Sequence, residues 1–110
     1  MKEKNIVKIQ TYCPENSADA VRMAIGDAGG GIIGNYSHCA FVSSGYGYFK
    51  PLKGSDPTIG KQGEIERVDE VKIEFVCEKD KVQSIIDAIR KSHPYEEVPI
   101  EIFPMLIPEG

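Results

Sequence analysis

Val68-Asp-Glu-Val-Lys-Ile-Glu-Phe-Val-Cys77 and the Lys81-Val-Gln-Ser-Ile-Ile-Asp-Ala-Ile-Arg-Lys-Ser92 that follows it decide the fold. The first stretch alternates. Val71, Ile73, Phe75 and Cys77 fall on one face and Lys72 and Glu74 on the other, the pattern of a strand with one side buried. In the second, Val82, Ile85, Ile86 and Ile89 recur at helical spacing, which predicts a helix over 81–92 with a single apolar stripe. Asp80 with Gln83 reads as a capping box, and His93-Pro94 closes the helix.

Working outward, the same unit appears earlier in the chain. Residues 5–13 read as a strand with Val7 and Ile9 on one face and Ile6, Lys8 and Gln10 on the other, stopped by Pro14. Residues 17–28 read as a helix, striped by Val21, Ala24, Ile25 and Ala28, with Asn16 or Ser17 as its cap. Gly29-Gly30-Gly31 supplies the left-handed geometry of a helix end. Residues 38–49 read as a long strand. Cys39, Phe41 and Phe49 point one way and Ala40, Val42, Tyr46 and Tyr48 the other, while Gly45 and Gly47 suggest a bulge or a close backbone approach. Residues 98–103 read as a last strand, which Pro99 places at an edge or a bulge. Pro51, Gly54, Pro57, Gly60 and Gly63 make 50–66 a long, turn-rich loop. The order is β-α-β-β-α-β: one α+β domain over residues 1–110, of the ferredoxin-like type, with a four-stranded antiparallel sheet and two helices on one face. Lys8, Gln10, Lys72, Glu74 and Glu101, with Val42, Tyr46 and Tyr48, are expected on the uncovered face, where an oligomer would bury them.

Composition narrows the function. With 110 residues, the chain has room for one core. A net charge of −4 with no basic run argues against nucleic acid, since phosphate binding needs a basic stripe. Apolar runs of only a few residues argue against a membrane span, and the opening Met-Lys-Glu-Lys-Asn leads toward a strand rather than a signal-peptide apolar region. Cys13, Cys39 and Cys77 are widely spaced and odd in number, with no C-x-x-C pair, so no zinc knuckle or thioredoxin-type motif is present and a reducing cytoplasm is the simplest setting.

Two stretches are more specific. The first runs from Gly29-Gly-Gly-Ile-Ile-Gly-Asn-Tyr-Ser-His-Cys-Ala-Phe41 through Gly45-Tyr-Gly-Tyr-Phe-Lys-Pro51 to Gly54-Ser-Asp-Pro-Thr-Ile-Gly60, and the second is His93-Pro-Tyr-Glu-Glu97. Together they resemble the insert domain of YqfO-type proteins in the Nif-three-like dinuclear-metal-centre family. The second also resembles the end of CutA, the divalent-cation tolerance protein, and the architecture is similar to that of PII signalling proteins. The resemblance covers about residues 5–105. It implies a trimer-forming module. It does not carry over the dinuclear site, whose ligands lie in a flanking domain, nor a hydrolase activity.

The candidate site residues are Tyr36, His38, His93, Tyr95 and Glu96. His93 admits two readings: a helix C-cap gaining from the dipole, or one wall of a polar site with Tyr95, Glu96 and Glu97 at a subunit boundary. Imidazole, phenol and carboxylate together suit a divalent cation, with His93 and Glu96 as its ligands, or a polar metabolite. His38 and Cys39 are adjacent, so on a strand they diverge and cannot share an ion unless the strand bulges. The glycines at 29–34 follow a helix rather than open one, which argues for a turn over a phosphate loop. The loop at 50–66 matches the position of the mobile loop of PII proteins, either a partner-docking element or a plain hairpin end. The acidic group Glu64, Glu66, Asp69 and Glu70 reads as a solvated edge. No nucleophile–base pair is legible. The expected function is a non-enzymatic oligomeric binding module. The alternatives are an assembly or regulatory subunit of a larger protein, and an accessory chain of a metal-dependent hydrolase.

Overall fold

The computed structural model describes residues 2–108, with side chains from Asn5 onward. Strand β1 (Lys2–Pro14) leads through a single 3-10 turn into helix α1 (Ala18–Asp27). Strands β2 (Phe41–Phe49) and β3 (Glu66–Glu78) follow, then a second 3-10 turn, helix α2 (Val82–Ser92) and strand β4 (Ile100–Ile107). The sheet order is β2-β3-β1-β4, all antiparallel, so β2 and β4 are its edges. The expected α+β architecture and element order are present.

The two central strands supply the core. Val7, Ile9, Thr11 and Cys13 of β1 and Val71, Ile73, Phe75 and Cys77 of β3 are buried against Val21 and Ile25 of α1 and Ile85 and Ile89 of α2. Thr11 and Cys13 apart, these are the alternating and helical positions read from the sequence. Thr11 fits among them because its hydroxyl donates to the Pro99 carbonyl at 2.8 Å. Pro104 sits in edge strand β4, next to a register shift between Glu3 and Val7, where a missing N–H does least harm.

Four expectations need correction. Neither helix has a side-chain cap: 3-10 turns at Glu15–Ser17 and Lys79–Lys81 feed the helices directly. Gln83 donates to Asp87, one helical turn on, instead of closing a capping box with Asp80. Strand β2 begins at Phe41 rather than 38, because His38 takes a left-handed φ of 61°, which a strand cannot continue through. The register also reassigns its faces. Val42, Tyr46 and Tyr48 pair with Ile73, Asp69 and Arg67 on the helix side of the sheet, whereas Phe41, Ser43 and Phe49 share the open face with Glu74, Lys72 and Glu66. β2 pairs without a bulge, and the close approach is at Gly47, against which the Glu70 carboxylate packs.

The β2–β3 hairpin outruns the sheet. β1 pairs with β3 only as far as Pro14 opposite Glu70, so residues 46–49 and 66–69 form a two-stranded arm. Arg67 lies over the Tyr46 ring, 3.9 Å from its centroid, and Tyr46 meets Tyr48 edge to face.

Candidate functional site

The predicted site residues fall into two clusters, one after each helix. α1 ends where Gly31 donates to Val76, near the C-terminal end of β3; α2 ends where His93 meets Tyr12, near the C-terminal end of the antiparallel β1. Tyr36 and His38 therefore lie at one end of the sheet, and His93, Tyr95 and Glu96 at the other.

At the second end, the chain leaves α2 with an extended His93, and Pro94 prevents the helix from continuing. His93 is buried. Its Nε2–H donates to the Tyr12 carbonyl at 2.6 Å, and its Nδ1 accepts from the Tyr95 amide at 3.1 Å. Both ring nitrogens are thus engaged, and the imidazole ties β1 to the turn rather than capping its own helix. The Tyr95 ring sits 4.8 Å from that of His93. The Tyr95 hydroxyl donates to Glu70 Oε2 at 2.9 Å. Burial first, then the Glu70 carboxylate, push the Tyr95 hydroxyl well above its ordinary pKa. Glu96 accepts from the Asp56 amide at 3.0 Å, and the Pro94 carbonyl accepts from the Thr58 hydroxyl at 2.8 Å. The long loop and the His-Pro-Tyr-Glu turn, far apart in sequence, form one structure.

Glu70 also lines a hollow of about 250 Å³ shared with Tyr12, Ser43, Ser44, Tyr46 and Lys72. The Tyr12 hydroxyl donates to Glu101 at 2.8 Å, a bond that raises its pKa. Beside it on the open face, Lys8 at 2.7 Å holds Glu74 below the usual carboxylate range. A second hollow, about 560 Å³, lies toward the other end of that face, lined by Lys8, Ile33, Phe41, Glu74, Val76 and Met105.

At the first end, the His38 ring lies on α1. Its Nε2 is 2.9 Å from Asp27 and its Nδ1 2.9 Å from the Ser37 hydroxyl. A Cβ on the buried Gly26 would run into this ring. Cys39 lies outside the strand and faces the Ser37 carbonyl, not the imidazole. The Tyr36 side chain is exposed. Among the described residues no three His, Cys, Asp or Glu side chains are grouped to hold a metal ion. Sequence reading missed Asp27 and Gly26, which carry no local signal. It saw Glu70 only as part of a solvated edge.

The fold and its two ends define the class: a CutA1-like α+β module. The structure superimposes on CutA1 from Shewanella sp. SIB1 with a TM-score of 0.70 over 98% of this chain and 88% of that one, at 17% identity, which shows a shared fold. A nearer likeness is to a Bacillus cereus protein related to NIF3, with a TM-score of 0.82 and 40% identity over 96% of this chain and 27% of that one. In sequence, the chain is 51% identical over 98 residues to the GTP cyclohydrolase 1 type 2 homolog of Bacillus subtilis, and 44% over 102 residues to that of Halalkalibacterium halodurans. No family model matches. The chain is a homologue of one segment of these NIF3-related proteins, and it spans about a quarter of the length of the curated relatives it matches.

Proposed function

We propose that this chain is a non-enzymatic, homo-oligomeric binding module that assembles as a trimer and takes a divalent cation or a small polar metabolite at clefts between copies. The observation that carries the assembly is where the apolar surface lies. Large side chains that a monomer would shield instead stand exposed on the sheet's two edge strands and the arm's loop: Phe41, Tyr46 and Tyr48 on β2, Leu52 and Ile65 beyond it, and Phe103 and Leu106 on β4. Edge strands also keep unpaired backbone groups, which a neighbouring copy can satisfy. Lys8 and Lys72 beside Glu74 and Glu101 give the open face charges of both signs, so copies can meet there without net repulsion.

Association also supplies what one chain lacks. Tyr36 and His38 cannot join Tyr95 and Glu96 within a single copy, because they lie at opposite ends of the sheet; a cleft between copies can bring them together. His93 serves such a cleft as its support, since its ring is buried and both nitrogens bond within the chain, whereas the His38 ring is partly exposed. Sedimentation equilibrium at micromolar concentration should return a trimer's mass, and a monodisperse monomer would overturn the assembly. Isothermal titration with divalent cations and nucleotides tests the ligand, with heat expected from one class; flat titrations for all would remove it. The quarter-length match favours a second reading, a regulatory or assembly module acting on a larger protein. Capture of a stable large partner, indifferent to small molecules, would favour it.

A further inference from the structure

Two three-residue turns face each other, Asp56-Pro57-Thr58 in the long loop and Pro94-Tyr95-Glu96 after α2. Asp56 is bonded to Glu96 and Thr58 to Pro94, so the two bonds flank Tyr95 on either side. Tyr95 is itself fastened to Glu70, a wall of the hollow on the sheet. We infer that the loop over 50–65 is a strap clasped onto this turn, and that the Tyr95–Glu70 bond is its latch, which couples the hollow to the strap.

The turn is suited to transmit a shift. His93 pins its start to β1 through a buried ring, and Pro94 stiffens the next residue. His93 holds the Tyr95 amide and packs on its ring, so what can shift is the Tyr95 hydroxyl end and Glu96 beyond it, and the hydroxyl is fastened to β3 through Glu70. The strap, by contrast, is internally built. Gly63 donates to the Pro51 carbonyl, Ser55 bonds Leu52 through both amide and hydroxyl, and the Gln62 side chain reaches the Ser55 carbonyl. It can therefore lift as a unit while its two clasp bonds, both exposed to water, break cheaply. Whatever draws Glu70 away from Tyr95 loosens the turn, and the strap with it. This inference concerns one chain and does not depend on the trimer.

Amide hydrogen exchange on the full-length protein tests it, read at Asp56 and across 50–65. Replacing the clasp acceptor, E96A, should speed exchange at Asp56 about tenfold, the loss expected of a bond to a charged acceptor. Y95F and E70A touch neither clasp bond, yet each removes one partner of the latch and should speed Asp56 at least threefold while the amides of β1 and α2 stay protected. Unchanged Asp56 exchange in both latch variants would overturn the coupling, and unchanged exchange in E96A would overturn the clasp. E70A leaves the His93–Tyr95 packing intact, so it decides the matter should Y95F destabilise the whole chain.

Discussion

Each helix is followed by a histidine, and the two act in different ways. His93 is buried, and its ring joins residues 81 positions apart in sequence, the end of β1 and the turn after α2. His38 is partly exposed, and its ring lies on the helix that precedes it, against Gly26 and Asp27. One is a tertiary tie and the other a local latch. The difference teaches that burial sets the worth of a polar contact. A buried group left without its partner bears the full cost of desolvation, whereas water replaces a partner lost at the surface.

The largest effect should therefore come from H93A. It strands the Tyr12 carbonyl and the Tyr95 amide beneath the turn and leaves a cavity, a cost of about 3 kcal/mol in urea unfolding. H38A, which removes two water-accessible bonds, should cost about 1 kcal/mol or less. Equal losses in the two variants would erase the distinction between tie and latch.

The second test concerns the approach of the His38 ring to Gly26. The His38 ring leaves no room for a side chain at Gly26, because an added Cβ would enter it. G26A should cost about 2 kcal/mol through overpacking. In an H38G background the ring is gone, and the same change should become neutral or stabilising by up to about 1 kcal/mol, since alanine is the better helix former. A sign that fails to reverse would show that Gly26 is needed for another reason.

Much of this architecture was legible in the sequence. The period of Val71, Ile73, Phe75 and Cys77, then of Val82, Ile85 and Ile89, is imposed by one-sided burial, so it marks the core directly. The edge position of the last strand was one of two readings of Pro99, although the strand runs over Ile100–Ile107 rather than 98–103, so that Pro99 precedes it and Pro104 is the proline within it. The faces of β2 were harder, because apolar side chains stand on both. The reading assigned Val42, Tyr46 and Tyr48 to the open face, and only their pairing with β3 puts them on the other. The site was legible as residue types but not as an arrangement. His93, Tyr95 and Glu96 are neighbours in sequence, yet their partners Tyr12, Glu70 and Asp56 lie 81, 25 and 40 positions away. His38 looked like a strand residue because nothing local announces a left-handed φ at a histidine.

A chemical probe of the same contrast comes from the cysteine beside each end. Cys13 follows Tyr12 and is fully buried under the tie, where burial and then Glu70 push its thiol up to about 11; Cys39 follows His38 and is partly exposed. A thiol reagent at neutral pH should modify Cys39 first, while Cys13 and Cys77, both buried, wait for the chain to open. H93A should speed labelling of Cys13 and leave Cys39 unchanged, and H38A should leave the labelling of Cys13 unchanged. The raised thiol also sets a sign at high pH. The folded state holds the Cys13 proton more tightly than the unfolded chain, so its contribution is complete below about 9, the ordinary thiol value, and is lost as pH rises through about 11. C13A lacks that group. Its stability deficit against the parent, measured by urea unfolding, should therefore narrow between pH 8 and pH 11, and a deficit that stays constant would mean that the thiol beneath the tie is not held in its protonated form by the fold.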